Sequence, residues 1–132
     1  MLLRCCCLCG GELTGTLREA GALFTRRTGT NLDLSCFADP IALYSRIGGR
    51  PGWDAAVVAL PGALGMEAAT RIREEQPGAP LIWCSDDRLF AIHSYRLHCA
   101  MFLLLPVTAE QLADALIRCA EELEKGGHSH ES

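Results

Sequence analysis

The pattern of apolar and polar residues repeats one unit, a strand followed by a helix, along the chain. The unit is clearest between Trp53 and Glu75. There an apolar run of strand length, Trp53 to Leu60, ends at Pro61-Gly62, and this residue pair stops a strand. Apolar residues then recur at helical spacing, which predicts a helix with one buried face: Met66, Ala69 and Ile72.

Four more units of this kind are present. Their predicted strands are short apolar runs, which in chain order are Leu2 to Leu8, Asn31 to Phe37, Leu81 to Ser85 and Met101 to Leu104. The first helix is predicted to bury Leu13, Leu17, Ala20 and Phe24. The last helix is predicted to bury Leu112, Leu116, Cys119 and Leu123.

Local signals predict where several helices begin and end. Gly29 marks the end of the first helix, and Asp39-Pro40 combines a capping side chain with proline at the first position of the second. The inward face of that second helix is predicted to be Ile41, Tyr44 and Ile47. A fourth helix is expected from about Asp87 to Leu97. Thr108 and Gln111 have the spacing of a capping box, so the fifth helix should begin there.

Strands that alternate with helices imply parallel strand pairing, right-handed crossovers and helices on both faces of one sheet. The chain has 132 residues and 49% apolar content, enough for a sizeable core without disulfides or structural metal ions. We therefore expect a single α/β domain at residues 1–125. The polar residues 126–132 are expected to form a flexible tail or the start of a linker.

Charge and hydropathy exclude several classes of protein. The formal net charge is −4 and the 12 basic residues are scattered, which argues against direct contact with nucleic acid. No apolar segment reaches the roughly 18 residues of a membrane span. The N-terminal MLLRCCCLCGG also lacks the long apolar region and cleavage site of a signal peptide. We expect a soluble, cytoplasmic protein.

Three passages of the sequence resemble response-regulator receiver domains, the CheY-like modules of two-component systems. They are WDAAVVALPGALGMEAATRIREE, PLIWCSDD and FAIHSYRLHCAMFLLLPVTAEQL. The sequence of the last passage most resembles the corresponding region of receivers that precede a LytTR-type DNA-binding domain. The resemblance covers roughly Leu2 to Leu123 and implies a flavodoxin-like (βα)5 three-layer sandwich. Its strand order would be 2-1-3-4-5, with the site at the carboxyl ends of strands 1 and 3.

The resemblance also implies which residues occupy the phosphorylation pocket. The phosphate-accepting aspartate of receivers is matched by Ala59, whose methyl group has no nucleophilic oxygen. The acidic pair that holds a divalent cation is matched by Cys9-Gly10-Gly11, and Glu12, the first carboxylate, is expected in the first helix. The lysine that contacts the phosphoryl group is matched by Leu105. We expect no metal ion and no cofactor.

Two positions of the receiver switch keep their residue type. Ser85 matches the hydroxyl that bonds the phosphoryl group, and Phe102 matches the aromatic residue that moves with it. Without a phosphoryl ligand, Ser85 has a simpler interpretation as a capping hydroxyl and Phe102 as a packing residue. The degenerate pocket is thus predicted to comprise Cys9, Gly10, Ala59, Ser85 and Leu105.

The eight cysteines allow two interpretations. Four of them crowd the first strand, where alternate side chains point to opposite faces, so they are not expected to converge on one metal ion. In a reducing compartment, buried cysteine behaves as a small apolar residue. Cys9, near Cys36 and Cys84, could instead sense redox state if its thiol were exposed and had a lowered pKa.

Receivers dimerise or contact effectors through the face made by helix 4, strand 5 and helix 5. On that face the resemblance points to Tyr95, Arg96 and His98, beside Phe102. An ordinary solvated helix surface is the competing interpretation. A DNA-binding output domain could follow outside the 132 residues.

Three classes of function compete. The first is an atypical receiver that works in signal transduction or transcription regulation by protein contact, without aspartyl phosphorylation. The second is a small-ligand or thiol-redox sensor that uses the altered pocket. The third is an enzyme, which we do not expect, because neither a glycine-rich phosphate loop nor a Ser-His-Asp set is recognisable.

Overall fold

Five parallel strands form one sheet in the order β2-β1-β3-β4-β5. The computed structural model describes residues 2–47 and 53–131, with only the backbone given for 44–47 and 126–131. The strands are β1 (Leu2–Cys9), β2 (Asn31–Phe37), β3 (Ala55–Ala59), β4 (Leu81–Ser85) and β5 (Met101–Leu104). The predicted strand order and parallel pairing are confirmed.

Five α-helices connect and cover the strands. They are α1 (Thr14–Thr28), α2 (Pro40–Ile47), α3 (Gly62–Glu75), α4 (Ala91–Arg96) and α5 (Ala109–Glu131). Short 3₁₀ turns at Gly11–Leu13 and Arg88–Phe90 precede α1 and α4. The predicted fourth helix, 87–97, is therefore a 3₁₀ turn followed by a short α-helix. Within the described residues, no helix is both long and apolar enough to cross a bilayer.

The central strands, β3, β4 and β1 from Cys5 onward, are buried on both faces, and their side chains alternate between two clusters of apolar residues. Cys5, Cys7 and Cys9 of β1 belong to the first cluster, which α1 and α5 cover. Cys6 and Leu8 belong to the second cluster, where they meet residues of α2 and α3. Because every residue from Cys5 to Cys9 is buried, this strand requires apolar side chains on both faces.

Three of the predicted helix signals are confirmed. Gly29 ends α1 with a left-handed backbone, φ +76°, which glycine adopts without steric cost. The Asp39 carboxylate accepts a hydrogen bond from the backbone N–H of Ile41 at 3.0 Å. In the capping box, Thr108 N–H donates to Gln111 Oε1 at 2.9 Å and Gln111 N–H donates to Thr108 Oγ1 at 3.1 Å.

The predicted inward face of α2 is wrong at Ile41, which is 71% exposed. Leu43 is the residue that packs into the second cluster. Side chains two positions apart in an α-helix point in directions that differ by about 200°. A helix that buries residue 43 must therefore expose residue 41. Two further residues of that predicted face, Tyr44 and Ile47, have side chains outside the described part of the chain.

One strand boundary also differs from the prediction. The third strand is shorter than the apolar run 53–60, because only Ala55–Ala59 pair with neighbours as a strand. The expected domain limit at residue 125 stays a prediction, and the backbone of α5 is helical to Glu131. Gly126 and Gly127 each cost a helix about 1 kcal/mol relative to alanine. A helix already nucleated by a buried face can still propagate through them.

Arg73, near the end of α3, joins three segments through one side chain. Its Nε donates to the Leu97 carbonyl at 2.8 Å, after α4. Its Nη1 donates to the carbonyls of Pro77 at 2.8 Å and Ala79 at 2.7 Å, in the loop before β4. Further bonds at 3.3 and 3.4 Å reach the carbonyls of Gln76 and His98. The guanidinium therefore satisfies carbonyls at the ends of two helices at once.

We expect Arg73→Ala to lower the free energy of unfolding by about 1.5 to 3 kcal/mol, because several carbonyls lose a charged donor. Arg73→Lys should lose an intermediate amount, since an ammonium cannot reproduce the planar set of donors. Urea unfolding followed by circular dichroism measures both. Arg26→Ala is the control, because Arg26 is exposed on α1, and its effect should stay within about 0.5 kcal/mol. Equal losses for Arg73→Ala and Arg26→Ala would contradict the role of Arg73.

Candidate functional site

A cleft of about 450 Å³ opens at the carboxyl edge of the sheet, between the turn after β1 and the segment after β5. Parallel strands bring their carboxyl ends to the same edge, which is where ligands bind in sheets of this type. We call it the Ala59 cleft. Its lining residues are Gly10, Glu12, Leu13, Thr16, Ala59, Leu105, Pro106 and Val107.

Ala59 lies at the end of the central strand and forms part of the wall of this cleft. It is the last residue of β3 and pairs with Cys9 of β1. Its side chain is 8% exposed and belongs to the first apolar cluster. The residue at the tip of β3 is therefore a methyl group that faces the cleft.

Leu105 reaches the same cleft from β5. Its backbone N–H donates to the Ser85 carbonyl at 2.9 Å, which continues the pairing of β4 with β5 by one residue. The half-buried Leu105 side chain packs against the first cluster. The structure thus brings three residues of the predicted degenerate pocket, Gly10, Ala59 and Leu105, to one cleft.

Ser85 and Cys9 do not line the Ala59 cleft. Ser85 is fully buried, and its Oγ accepts a hydrogen bond from the Asp87 N–H at 3.2 Å. The Asp87 carboxylate in turn accepts from the Leu89 N–H at 2.9 Å, at the start of the 3₁₀ turn before α4. Asp87, not Ser85, is therefore the capping residue of this turn, and Ser85 forms a local hydroxyl–backbone turn two residues earlier, which differs from the predicted capping role.

Phe102 packs inside an aromatic group on the second face of the sheet. Its ring meets Trp83 edge-on at 5.5 Å between centroids, and Phe90 lies 5.6 Å from Trp83 on another side. The Trp83 indole N–H is buried and has no hydrogen-bond partner among the residues that the structure describes. Gly65 allows α3 to approach the end of β3 closely, because a Cβ at that position would overlap the Leu60 carbonyl oxygen and would lie 3.3 Å from the Trp83 indole nitrogen.

Glu12 is a lining residue that the sequence did not assign to the cleft. It was expected within the first helix, but it lies in the 3₁₀ turn before α1, and its exposed carboxylate borders the cleft. The Gly10-Gly11 pair could have signalled this turn, because glycines at the end of a strand favour a loop over an immediate helix. Among the residues that the structure describes, no three His, Cys, Asp or Glu side chains are grouped to hold a metal ion.

Cys9 lacks both properties that a redox-sensing thiol requires. Its side chain is only 3% exposed, and burial raises its pKa to about 11. Cys6 and Cys9 have Cys-x-x-Cys spacing, but strand alternation puts them in different clusters on opposite faces of the sheet. Cys36, opposite Cys7 in the pairing of β1 with β2, is the exposed cysteine of the eight.

The predicted interface residues all lie at or after the short helix α4. Tyr95 is 82% exposed, and Arg96 and His98 are also exposed. His98 follows the helix with a left-handed backbone, φ +54°, and its N–H donates to the Tyr95 carbonyl at 3.1 Å. Leu89 and Ile92, which precede them, also present apolar side chains to solvent.

Thiol exposure makes a direct prediction for alkylation of the folded protein by iodoacetamide at neutral pH. Cys36 should be modified first, although hydrogen bonding with the Cys7 thiol raises its pKa and slows the reaction. Cys9 should stay unmodified until the chain unfolds, and its reaction should accelerate only as pH approaches its raised pKa of about 11. Peptide mass spectrometry after timed quenching measures each site. Labelling of Cys9 as fast as Cys36 would contradict the burial of β1.

Comparisons with known proteins show the fold. No family model matches the sequence, and no curated protein matches it either. A response regulator receiver domain protein (CheY-like) from Methanospirillum hungatei superimposes with a TM-score of 0.70 at 15% identity, covering 96% of this chain and 99% of the other. The signal receiver domain of a modulated diguanylate cyclase from Desulfovibrio desulfuricans gives 0.67 at 22% identity, with coverages of 96% and 99%.

A third structure, described as an adenylate cyclase from Rhodopirellula baltica, gives a TM-score of 0.80 at 14% identity, covering 99% of this chain and 96% of that one. At such identities the likeness concerns the fold alone. The chain has the flavodoxin-like α/β fold of its CheY-like receiver neighbours, with five parallel strands in the order 2-1-3-4-5.

Proposed function

We propose that this chain is a receiver-like domain of a response regulator that transmits a signal in the cytoplasm by protein contact, without accepting a phosphoryl group. The observation that carries the proposal is the methyl group of Ala59 at the carboxyl end of the central strand. Acyl phosphate formation needs a nucleophilic carboxylate, and a methyl group offers no oxygen.

The rest of the Ala59 cleft supports the same conclusion. Leu105 lines it where the resemblance to receivers would require a lysine. A lysine at 105 would bring an ammonium to Ala59, where the carboxylate that the resemblance to receivers would place at residue 59 is missing. Leucine at 105 is therefore physically consistent with alanine at 59, which favours a converted pocket over the loss of one residue.

The output of such a domain would depend on a contact surface. We propose the residues at the end of α4, namely Tyr95, Arg96 and His98, as the surface for a second copy or another protein. Large aromatic side chains and arginine are enriched at protein interfaces. The sequence likeness to receivers of LytTR-type regulators suggests transcription regulation as the process, with any DNA contact made by another domain.

Incubation of the protein with acetyl phosphate and Mg²⁺ should leave its intact mass unchanged, because residue 59 cannot form an acyl phosphate. Mass spectrometry directly after an acid quench measures this. A receiver that retains the acceptor aspartate, treated in parallel, shows that the phosphodonor is active. Addition of the mass of one phosphoryl group to this chain would refute the proposal.

The variant Ala59→Asp separates a converted pocket from a single missing residue. We expect it to remain unmodified by acetyl phosphate, since Leu105 supplies no cation and Glu12 alone cannot replace an acidic pair that holds Mg²⁺. It should also unfold more easily, by about 1 to 3 kcal/mol, because the carboxylate enters a nearly buried position. Modification at the rate of the control receiver would mean that only the acceptor has been lost.

Self-contact through α4 predicts that the chain associates reversibly as its concentration rises from micromolar to submillimolar. Tyr95→Glu should weaken that association about tenfold or more, because it puts a charge at the centre of an aromatic contact. Sedimentation velocity measures the dissociation constant. Ile41→Glu is the control, since Ile41 on α2 is similarly exposed, at 71% against 82% for Tyr95. A monomer at all concentrations, or equal weakening by both variants, would count against this contact.

A further inference from the structure

Carboxylates follow the ends of several strands at the carboxyl edge of the sheet, and most of them have a structural partner. Three accept a hydrogen bond from a backbone N–H at 2.9 to 3.1 Å: Asp39, Asp86 and Asp87. Glu12 makes no hydrogen bond or ion pair with the described residues. Of these four carboxylates, Glu12 is therefore the one with both oxygens open to a ligand among the described residues.

Glu12 also borders a cleft of suitable size and chemistry. Its Oε1 lies 3.5 Å from the position that a Cβ on Gly10 would occupy, so the carboxylate sits over a wall residue that has no side chain. The volume of about 450 Å³ lies within the range of small-molecule sites. Among the eight lining residues none is lysine, arginine or histidine, so the carboxylate has no cation in the wall to neutralise it.

The other lining residues indicate that a ligand should also carry an apolar group. Leu13, Ala59, Leu105 and Val107 give the cleft an apolar surface, and Thr16 adds one hydroxyl that forms no hydrogen bond with the described residues. An inorganic cation would gain nothing from these apolar walls. An anion would be repelled by Glu12. A group with one positive charge and an attached apolar chain would use both features.

We propose that the Ala59 cleft binds a primary alkylammonium group, with Glu12 as its counter-ion and Thr16 as a second hydrogen-bond acceptor. The apolar chain next to the ammonium would lie against Leu105 and Val107. The inference rests on the proposed function, because it requires a cleft free of phosphoryl chemistry. The same group occurs on free amines and on the lysine side chain, so the experiment includes one probe for each source.

The test is a titration of the ¹⁵N-labelled full chain, followed by heteronuclear NMR. The probes are 2-phenylethylammonium for a free amine and Nα-acetyl-lysine amide, which keeps its side-chain ammonium, for a lysine side chain. At least one of them should cause saturable shifts centred on the amides of Gly10, Glu12 and Ala59. Matched probes of similar shape are 2-phenylethanol, which is neutral, and 3-phenylpropanoate, which is anionic. We expect 2-phenylethanol to bind more weakly and the anion not to bind at this site.

The variant Glu12→Gln should weaken binding of the ammonium probe about tenfold, as expected for the loss of one charge-assisted hydrogen bond. Glu110→Gln is the matched control, because it removes one exposed carboxylate outside the Ala59 cleft, and it should leave the affinity unchanged. Absence of saturable shifts with both cationic probes, equal binding of the anion, or unchanged affinity in Glu12→Gln would overturn the proposal.

The two proposals fail in different experiments. A phosphoryl adduct after treatment with acetyl phosphate refutes the phosphorylation-independent function and with it the premise of an available cleft. An unchanged mass together with no cation binding overturns the alkylammonium site alone.

Discussion

Burial of the central strands on both faces is the constraint on which the rest of the structure depends. β1, β3 and β4 lie between two helical layers, and from Cys5 to Cys9 every side chain of β1 is excluded from water. A strand in this position cannot carry an uncompensated charge. The cysteines of β1 and the alanines and valines of β3 meet that constraint, because these side chains are apolar and small enough to pack closely.

The same constraint explains the composition of the Ala59 cleft. The tips of the central strands are the first positions where polar chemistry can return, and parallel pairing gathers them at one edge. At that edge the inward positions 59 and 105 are alanine and leucine, while the carboxylate of Glu12 stands outside in a turn. The apolar core thus continues to the rim of the cleft, and charge begins only where solvent reaches.

Much of the fold could be predicted because it depends on patterns within short segments of the sequence. Strand and helix periodicity, Gly29, Asp39-Pro40 and the capping box of Thr108 and Gln111 act over a few residues, so the sequence displays them directly. The positions of Ala59 and Leu105 in one cleft also followed, since each lies at the end of a recognisable strand.

What could not be predicted depends on how elements meet. The contact of α2 with the sheet decides which face of the helix is buried, and Leu43 rather than Ile41 makes that contact. The turn that keeps Glu12 out of α1 depends on the geometry between β1 and the helix that follows. The burial of Cys9 likewise results from helices packed over it, which strand periodicity alone does not reveal.

The bonds of Arg73 have a mechanical consequence for α4. They fix the carboxyl end of this short helix to α3 through the Leu97 and His98 carbonyls. Its amino end instead begins in a 3₁₀ turn and rests on the Trp83 ring through Phe90. Hydrogen bonds therefore hold the carboxyl end of α4, and aromatic packing supports its amino end. A displacement of α4 that kept the Arg73 bonds would be a rotation about Leu97, which would carry Ile92 through a wider arc than Arg96.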